Sequence, residues 1–276
     1  MESSRTNDPG AFRSFEHAGW QNVCRQYHES FANLTSQAIE PLLAAVRAGK
    51  GTRLLDVATG PGYVAAAASQ RGASVIGVDF SAAMVAEASR QYPGVEFREG
   101  DAEALPFPNC TFDAVVMNFG LLHLASPEQA FIEAHRVLRT SGQFAFTVWC
   151  KPEVAVGFGI VLDAVQAHGQ MNVPLPPGPP FFRFSDSGEC VQALLKAGFA
   201  MPEVVHIPQI WRLPSPDALF NAMQGATVRT SGMLRAQSAE ALEAIGKSIR
   251  EAAATYQKGE GIELPMPAVL ASANKI

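Results

Sequence analysis

Four polar residues, Asp56, Asp79, Asp101 and Asn118, each stand at the C-terminal end of a short extended run. Just after the first comes "ATGPG", residues 58–62, which gives up side chains where the chain must turn. Gly60 and Gly62 allow a sharp turn and a close backbone approach to a ligand, and a helix opening there aims its first N–H groups at that ligand. Asp79 lies 19 residues after Gly60, where a carboxylate can accept hydrogen bonds from a ribose diol. The chemistry indicated is retention of a nucleoside-bearing cofactor on one rim of a sheet. Each feature alone has a plainer reading: a glycine pair also makes a tight turn without a ligand, and an acid at a strand end is commonly a solvated loop residue. "GPGYVA" also fits the G-x-G-x-x-G/A pattern of dinucleotide-binding domains, which keeps an NAD-dependent oxidoreductase open. Four polar strand ends in register are harder to attribute to chance, and no basic residue follows Asp79 to hold the extra phosphate of NADP.

The elements that must position these residues follow from hydrophobic pattern and punctuation. "RLLDVA", "ASVIGVDF", "GVEFREGD", "FDAVVMNFG" and "QFAFTVW" predict five strands, the apolar ones buried on both faces. Between them, "YVAAAASQRG" predicts a helix closing at Gly72, and Ser81 caps a helix over "AAMVAEASRQY". A third helix opens with Ser126, Pro127 and Gln129 at the spacing of N-cap, N1 and the reciprocal partner of a capping box, and Gly142 is expected to end it. Residues 52–149 therefore alternate strand and helix as a parallel sheet covered on both faces requires. Upstream, Trp20, Val23, Cys24, Tyr27 and Phe31 recur at helical spacing. Downstream come the proline-rich "VPLPPGPPFFRF", a helix with Asp186 and Glu189 at capping-box spacing, "EVVHIPQIWRL" as one strand, helices over 215–257 and "PMPAVLASANK" as a final strand.

Composition bounds the partners. The formal net charge of -5 and the lack of a Lys/Arg cluster remove the counter-charge that nucleic acid or an anionic membrane would demand. The polar start "MESSRTNDPG" has no apolar leader, no stretch is long enough to span a bilayer, and a cytoplasmic location is expected. Cys24, Cys110, Cys150 and Cys190 lie far apart with no CxxC pair, so neither a metal cage nor a disulfide framework is expected.

The ordered series "LLDVATGPG", "VIGVDFS", "GDAEALPF", "FDAVVMNFGLLHL" and "EAHRVLRTSGQFAFTVW" resembles the class I S-adenosylmethionine-dependent methyltransferases, over roughly residues 50–150. Within them it is most similar to the ubiquinone/menaquinone-type and natural-product small-molecule methyltransferases. The resemblance implies an α/β fold, a doubly wound Rossmann-like seven-stranded sheet with an antiparallel last strand, plus a mainly helical lid or cap. Domain organisation is then expected as an N-terminal helical cap over 1–48, a cofactor-binding core over 49–150, and the remainder of the sheet with a helical substrate lid over 151–276.

The same resemblance implies S-adenosylmethionine as cofactor and assigns roles. Asp79 would hold the ribose hydroxyls, Phe80 and Met84 would flank the adenine beside Ser81, and Asp101, Ala102 and Glu103 would lie at the adenine edge. Asp56 with Ala58, Thr59, Gly60, Pro61 and Gly62 would line the methionine end, and Asn118 and Phe119 would lie near the sulfonium. Ala58 departs from the family's glycine and tightens that space. Tyr27 on the N-terminal helix is a further cofactor candidate.

The reaction expected is methyl transfer to an O or C atom of a largely apolar small molecule. An in-line displacement needs positioning and exclusion of water, and a base only if the acceptor must lose a proton. His123 is the catalytic candidate; its plainer role is a hydrogen-bonded loop histidine. Trp20, Trp149, Phe181 and Phe182 are candidates for an apolar acceptor wall, or else core aromatics, and Arg183 could meet an acceptor carboxylate or simply sit at the surface. "NFGL" stands where similar enzymes acting on amino groups of bases or glutamine carry an "NPPY"-like element. A non-catalytic cofactor-binding module is the other alternative.

Overall fold

The runs ending in Asp56, Asp79 and Asn118 are neighbouring parallel strands. In the computed structural model, which describes residues 8–276, β1 (Arg53–Val57) lies between β2 (Ser74–Asp79) and β4 (Phe112–Asn118), with Asp56 in register with Gly77 and with Val116. The polar start, residues 1–7, lies outside the described residues. β3 (Glu96–Glu99) extends the sheet beyond β2, and β5 (Leu138–Trp149) runs parallel to β4. β10 (Ala268–Asn274) is antiparallel to both β5 and β6 (Ala200–Ile207), giving a seven-stranded sheet of order β3-β2-β1-β4-β5-β10-β6. This is the doubly wound, Rossmann-like arrangement with an antiparallel last strand.

Central strands are apolar because both faces are covered: Leu54, Leu55, Ala114, Val115, Val116, Phe144, Ala145 and Phe146 are all buried. The edges differ as edges must. β3 carries exposed charge, and β6 alternates in exposure and contains Pro202, which has no N–H to offer a further strand.

With this sheet, one compact unit (Thr35–Trp149, Pro179–Ile207 and Ala268–Ile276) contains α2 (Ile39–Ala45), α3 (Tyr63–Gln70), α4 (Ala82–Gln91), α5 (Pro127–Val137) and α7 (Ser187–Lys196). Several helix boundaries follow their capping chemistry. Ser81 Oγ accepts the Met84 N–H at 3.3 Å, Asp186 Oδ1 accepts from Gly188 and Glu189, and Gly72 takes the left-handed conformation after α3.

A second compact unit gathers the rest: the described part of 1–34 with Cys150–Gly178 and Pro208–Pro267. It is mainly helical, holding α1 (Pro9–Thr35, but for its last residue), α6 (Val156–His168), α8 (Pro216–Gly225), α9 (Arg229–Arg235) and α10 (Ala239–Ala254). Three short strands, β7 (Ile210–Leu213), β8 (Gln257–Lys258) and β9 (Gly261–Pro265), form its own small sheet. Trp211 anchors it: the ring is buried, tilts against Phe31 at 4.6 Å and donates its indole N–H to the Ser30 carbonyl.

Three local expectations are corrected. "EVVHIPQIWRL" is two strands in different sheets, β6 and β7, interrupted at Pro208, whose missing N–H cannot continue a ladder. α5 ends at Val137 rather than at Gly142, which lies instead in an irregularity of β5, between the pairs Phe112–Leu138 and Ala114–Gln143. Ser126 is the N-cap and Pro127 the first helical residue, but the Ser126 side chain makes no capping bond, and its N–H goes at 2.9 Å to Glu103 Oε1. A long-range carboxylate displaces the reciprocal Gln129 bond.

Candidate active site

The loop after β1 is shaped from beneath by Asp56. Its carboxylate is fully buried; Oδ2 accepts the Thr59 hydroxyl at 2.6 Å and the Ala65 N–H at 3.0 Å, while Oδ1 has no hydrogen-bond partner among the described residues. Burial pushes this carboxyl up from 3.8 to about 7; the Thr59 and Ala65 bonds oppose the rise and the charge of Asp79 adds to it. Asp56 thus ties strand, loop and the first turn of α3 together.

Above it, Ala58, Gly60 and Gly62 all take positive φ, of 53, 53 and 88 degrees. The two glycines serve different ends. Among the described residues a Cβ at Gly60 would meet nothing within 4 Å, so with respect to them that side of the loop is open, with Pro61 between the two glycines. A Cβ at Gly62 would stand 2.8 Å from the Phe97 ring and 3.1 Å from Ala88, so this glycine lets the loop pack against β3 and α4.

The four strand ends are physically joined. Gly60 donates its N–H to Asp79 Oδ2 at 2.8 Å, and Ser81 donates to Oδ1 at 2.9 Å. The Asp79 carbonyl accepts from Gly100, which leads into Asp101, and Asp101 Oδ1 accepts from Glu103. On the other side, Ala58 lies so close to the end of β4 that a Cβ on Gly120 would come within 2.5 Å of it. Asn118 meets β5 through Thr147, whose hydroxyl donates to Asn118 Oδ1 at 2.6 Å. Asp56, Asp79, Asp101 and Asn118 accordingly belong to one continuous rim.

Around this rim the candidates differ in exposure. Phe80 is half-buried, whereas Met84 and Ala102 are buried. Phe119, also at positive φ, stacks its ring on Trp149 with centroids 3.9 Å apart. His123 sits half-buried in the 3-10 turn Leu121–His123, edge-on to Phe181 at 6.0 Å, and Phe181 is edge-on to Phe182 at 4.9 Å. Phe184, from the same run, packs into the core against Phe131 at 5.6 Å. Arg183 lies over the Phe184 ring and donates to Glu128 and Glu189, bracing its segment onto α5 and α7. Ser185 completes the anchor by donating to the Trp149 carbonyl at 2.9 Å.

Trp20 and Tyr27 belong to the other unit. There they form an aromatic row, Trp20 edge-on to Tyr27 at 5.5 Å and Tyr27 stacked on Phe31 at 5.7 Å, and the Trp20 indole N–H donates to the buried carboxylate of Glu16.

Sequence reasoning missed the residues that hold the rim. Arg136 donates to Glu133 through Nε and Nη2 and to the carbonyls of Leu105 and Phe107, while Glu133 accepts the Leu105 N–H, so α5 clamps the loop following Asp101. The paired guanidinium holds the Glu133 carboxyl below its ordinary range. A Glu and an Arg three apart on a helix were a visible signal of their pairing, though not of the loop they bind. Thr147 and Gly120 had no local signal.

Residues 55–146 match the family described as a methyltransferase domain. Demethylmenaquinone methyltransferase of Renibacterium salmoninarum is 38% identical over 108 residues, which is 39% of this chain and 46% of that protein. Malonyl-(acyl-carrier protein) O-methyltransferase of Enterobacter lignolyticus is 32% identical over 121 residues, 44% of this chain and 48% of that protein. The chain spans about half the length of the curated relatives it matches. Among solved structures, a phosphoethanolamine N-methyltransferase of Haemonchus contortus superposes with a TM-score of 0.59 at 19% identity, covering 96% of this chain and 60% of that one, a likeness of fold.

Proposed function

We propose, from the methyltransferase-domain match over residues 55–146, that the protein is a class I S-adenosylmethionine-dependent methyltransferase and moves the methyl group of S-adenosylmethionine to an oxygen or carbon atom of a largely apolar small molecule. The observation that carries this reading is the joined rim, in which the open side of Gly60, the Asp79 carboxylate and the elbow at Asn118 and Phe119 follow one another without a break.

The residues fit this cofactor by their charge. Asp56 and Asp79 are both buried, the charge of Asp79 helps to hold the Asp56 carboxyl up, and the Asp56 Oδ1 lone pairs have no donor among the described residues. No Lys or Arg lies between Leu54 and Gln70. Such a loop favours a cationic ligand without phosphates. In this reading Asp79 takes the ribose hydroxyls, each carboxylate oxygen being able to accept more than one donor. Asp101 and Ala102 border the adenine, and the Ala58–Gly62 loop borders the methionine end.

When bound, S-adenosylmethionine supplies an electrophilic methyl group on a sulfonium. The chain's own work is to orient the acceptor, hold it at rest and keep water out, which can supply about 7–11 kcal/mol of rate enhancement with no covalent catalyst. Phe119 and Trp149 offer a stacked aromatic pair beside the ends of β4 and β5, and Phe181 and Phe182 offer an edge-to-face pair. These suit a flat apolar acceptor of the kind named for the curated relatives, a demethylmenaquinone. Acceptor choice rests partly on Phe181 and Phe182, which lie beyond the matched residues 55–146. For a hydroxyl acceptor, the His123 imidazole takes the proton from the acceptor oxygen as the new bond forms.

The test is calorimetric titration with S-adenosylmethionine, S-adenosylhomocysteine and NAD, followed by release of S-adenosylhomocysteine across a panel of hydroxylated and unsubstituted naphthoquinols. Binding of both adenosyl ligands with turnover on an apolar ring is expected; binding of NAD alone overturns the reading.

A further inference from the structure

We propose that Thr147 is a positioning residue, holding Asn118 and Phe119 in the arrangement that distinguishes the charged methyl donor from its neutral product. The inference rests on the methyl-transfer reading above. Thr147 is the cross-strand partner of Asn118, is fully buried, and lies in a stretch of β5 whose neighbours Phe144, Ala145, Phe146 and Val148 are all apolar. A buried hydroxyl in a sheet interior costs free energy unless it is bonded, and valine has the same shape and suits a strand at least as well. The hydroxyl at this position therefore needs a reason.

Its reason is the elbow after β4. Thr147 Oγ1 donates to Asn118 Oδ1 at 2.6 Å and accepts from the Phe119 N–H at 3.1 Å, while the same N–H also reaches the Thr147 carbonyl at 3.1 Å. At its other end the Asn118 carboxamide donates to the Thr35 carbonyl at 3.2 Å. That second bond sets which way the amide faces, since a flipped carboxamide would oppose two carbonyl oxygens. Phe119 is held at φ 55, a conformation that costs a non-glycine residue roughly 1–2 kcal/mol, with its ring stacked on Trp149. One hydroxyl thus fixes both a carbonyl dipole and an aromatic ring. Both kinds of group attract a cationic sulfonium more strongly than a neutral thioether, whose own contact with an aromatic ring is favourable but modest.

Valine at 147 removes the donor to Asn118 and one acceptor for Phe119 without changing volume. Calorimetry on Thr147→Val should show affinity for S-adenosylmethionine falling about tenfold more than affinity for S-adenosylhomocysteine. Thr147→Ser, which keeps the hydroxyl, should restore the wild-type ratio. A merely structural role would lower both affinities together, and that result, or an unchanged ratio, overturns the proposal. If Thr147→Val does not fold, Asn118→Ala must reproduce the loss of discrimination; failure to do so overturns the proposal equally. Wild-type protein that binds neither ligand overturns the methyl-transfer reading itself, and the role of Thr147 with it.

Discussion

Gly60 and Asp79, 19 residues apart, are joined by a backbone N–H donated to a carboxylate oxygen at 2.8 Å. The acid that closes β2 therefore shapes the glycine loop after β1, and it accepts the Ser81 N–H with its other oxygen. Asp79→Ala leaves two backbone donors without their acceptor, at about 1–3 kcal/mol for each that stays unsatisfied. Affinity for S-adenosylhomocysteine should fall at least about a hundredfold. A ligand lacking the ribose 2′-hydroxyl separates the two roles: if Asp79 contacts the diol, wild type should prefer the full ligand while Asp79→Ala binds both alike. A preference that survives the substitution assigns Asp79 to the loop alone.

Arg136 performs the corresponding service for the loop after β3. Its guanidinium bonds Glu133, Asn109 and the carbonyls of Leu105 and Phe107. Arg136→Met should lower unfolding free energy by about 2–4 kcal/mol, because Glu133 is then left nearly buried without its partner. Urea titration measures this, and hydrogen exchange should show protection lost over residues 101–109 while β1 and β2 keep theirs. Uniform loss across the sheet would contradict a local clamp.

The strands, the end of α3 at Gly72 and the caps at Ser81 and Asp186 were legible because each is written in neighbouring residues: an apolar run, a glycine, a short polar side chain before a helix. The polar strand ends were legible for the same reason, although only the sheet order shows that they are adjacent. What stayed hidden depends on chain segments far apart in sequence. Glu103 takes the Ser126 N–H that a local capping box would have used, and Thr147 meets Asn118 only because β5 pairs with β4. Gly142 was misread because glycine after a helix usually stops it, and here glycine serves a bulge, where a Cβ would press on the Arg139 carbonyl at 2.8 Å.

Ala58 and Gly120 form a matched pair. Ala58 occupies a left-handed position that glycine ordinarily fills, and Gly120 leaves room for its methyl group, since a second Cβ would sit 2.5 Å away and press on Met117 as well. Gly120→Ala should destabilise by about 1–3 kcal/mol through overpacking. Ala58→Gly alone should be close to neutral, strain relief offsetting the greater freedom of the unfolded chain. Combined with Gly120→Ala, it should restore the part of the loss that comes from the Ala58 contact, the contact with Met117 remaining. Melting temperatures of the four proteins form the cycle; purely additive effects would show that the two sites are not coupled.

Asp56 makes the sharpest pH prediction. Its carboxyl titrates at about 7 in the folded protein against 3.8 ordinarily, so the folded state holds a proton that the unfolded state has already released. Stability should decline as pH rises from about 4 to about 7 and level off above, with a ceiling near 4 kcal/mol from the size of the shift. Asp56→Asn cannot ionise, and urea midpoints at pH 5 and pH 8 should differ less in this variant than in wild type; an equal difference would place the dependence elsewhere. Binding of a cation near Asp56 favours its ionised form, so S-adenosylmethionine should release a proton when it binds between about pH 5 and pH 7. Binding enthalpies measured in buffers of different ionisation enthalpy should then diverge for wild type and coincide for Asp56→Asn.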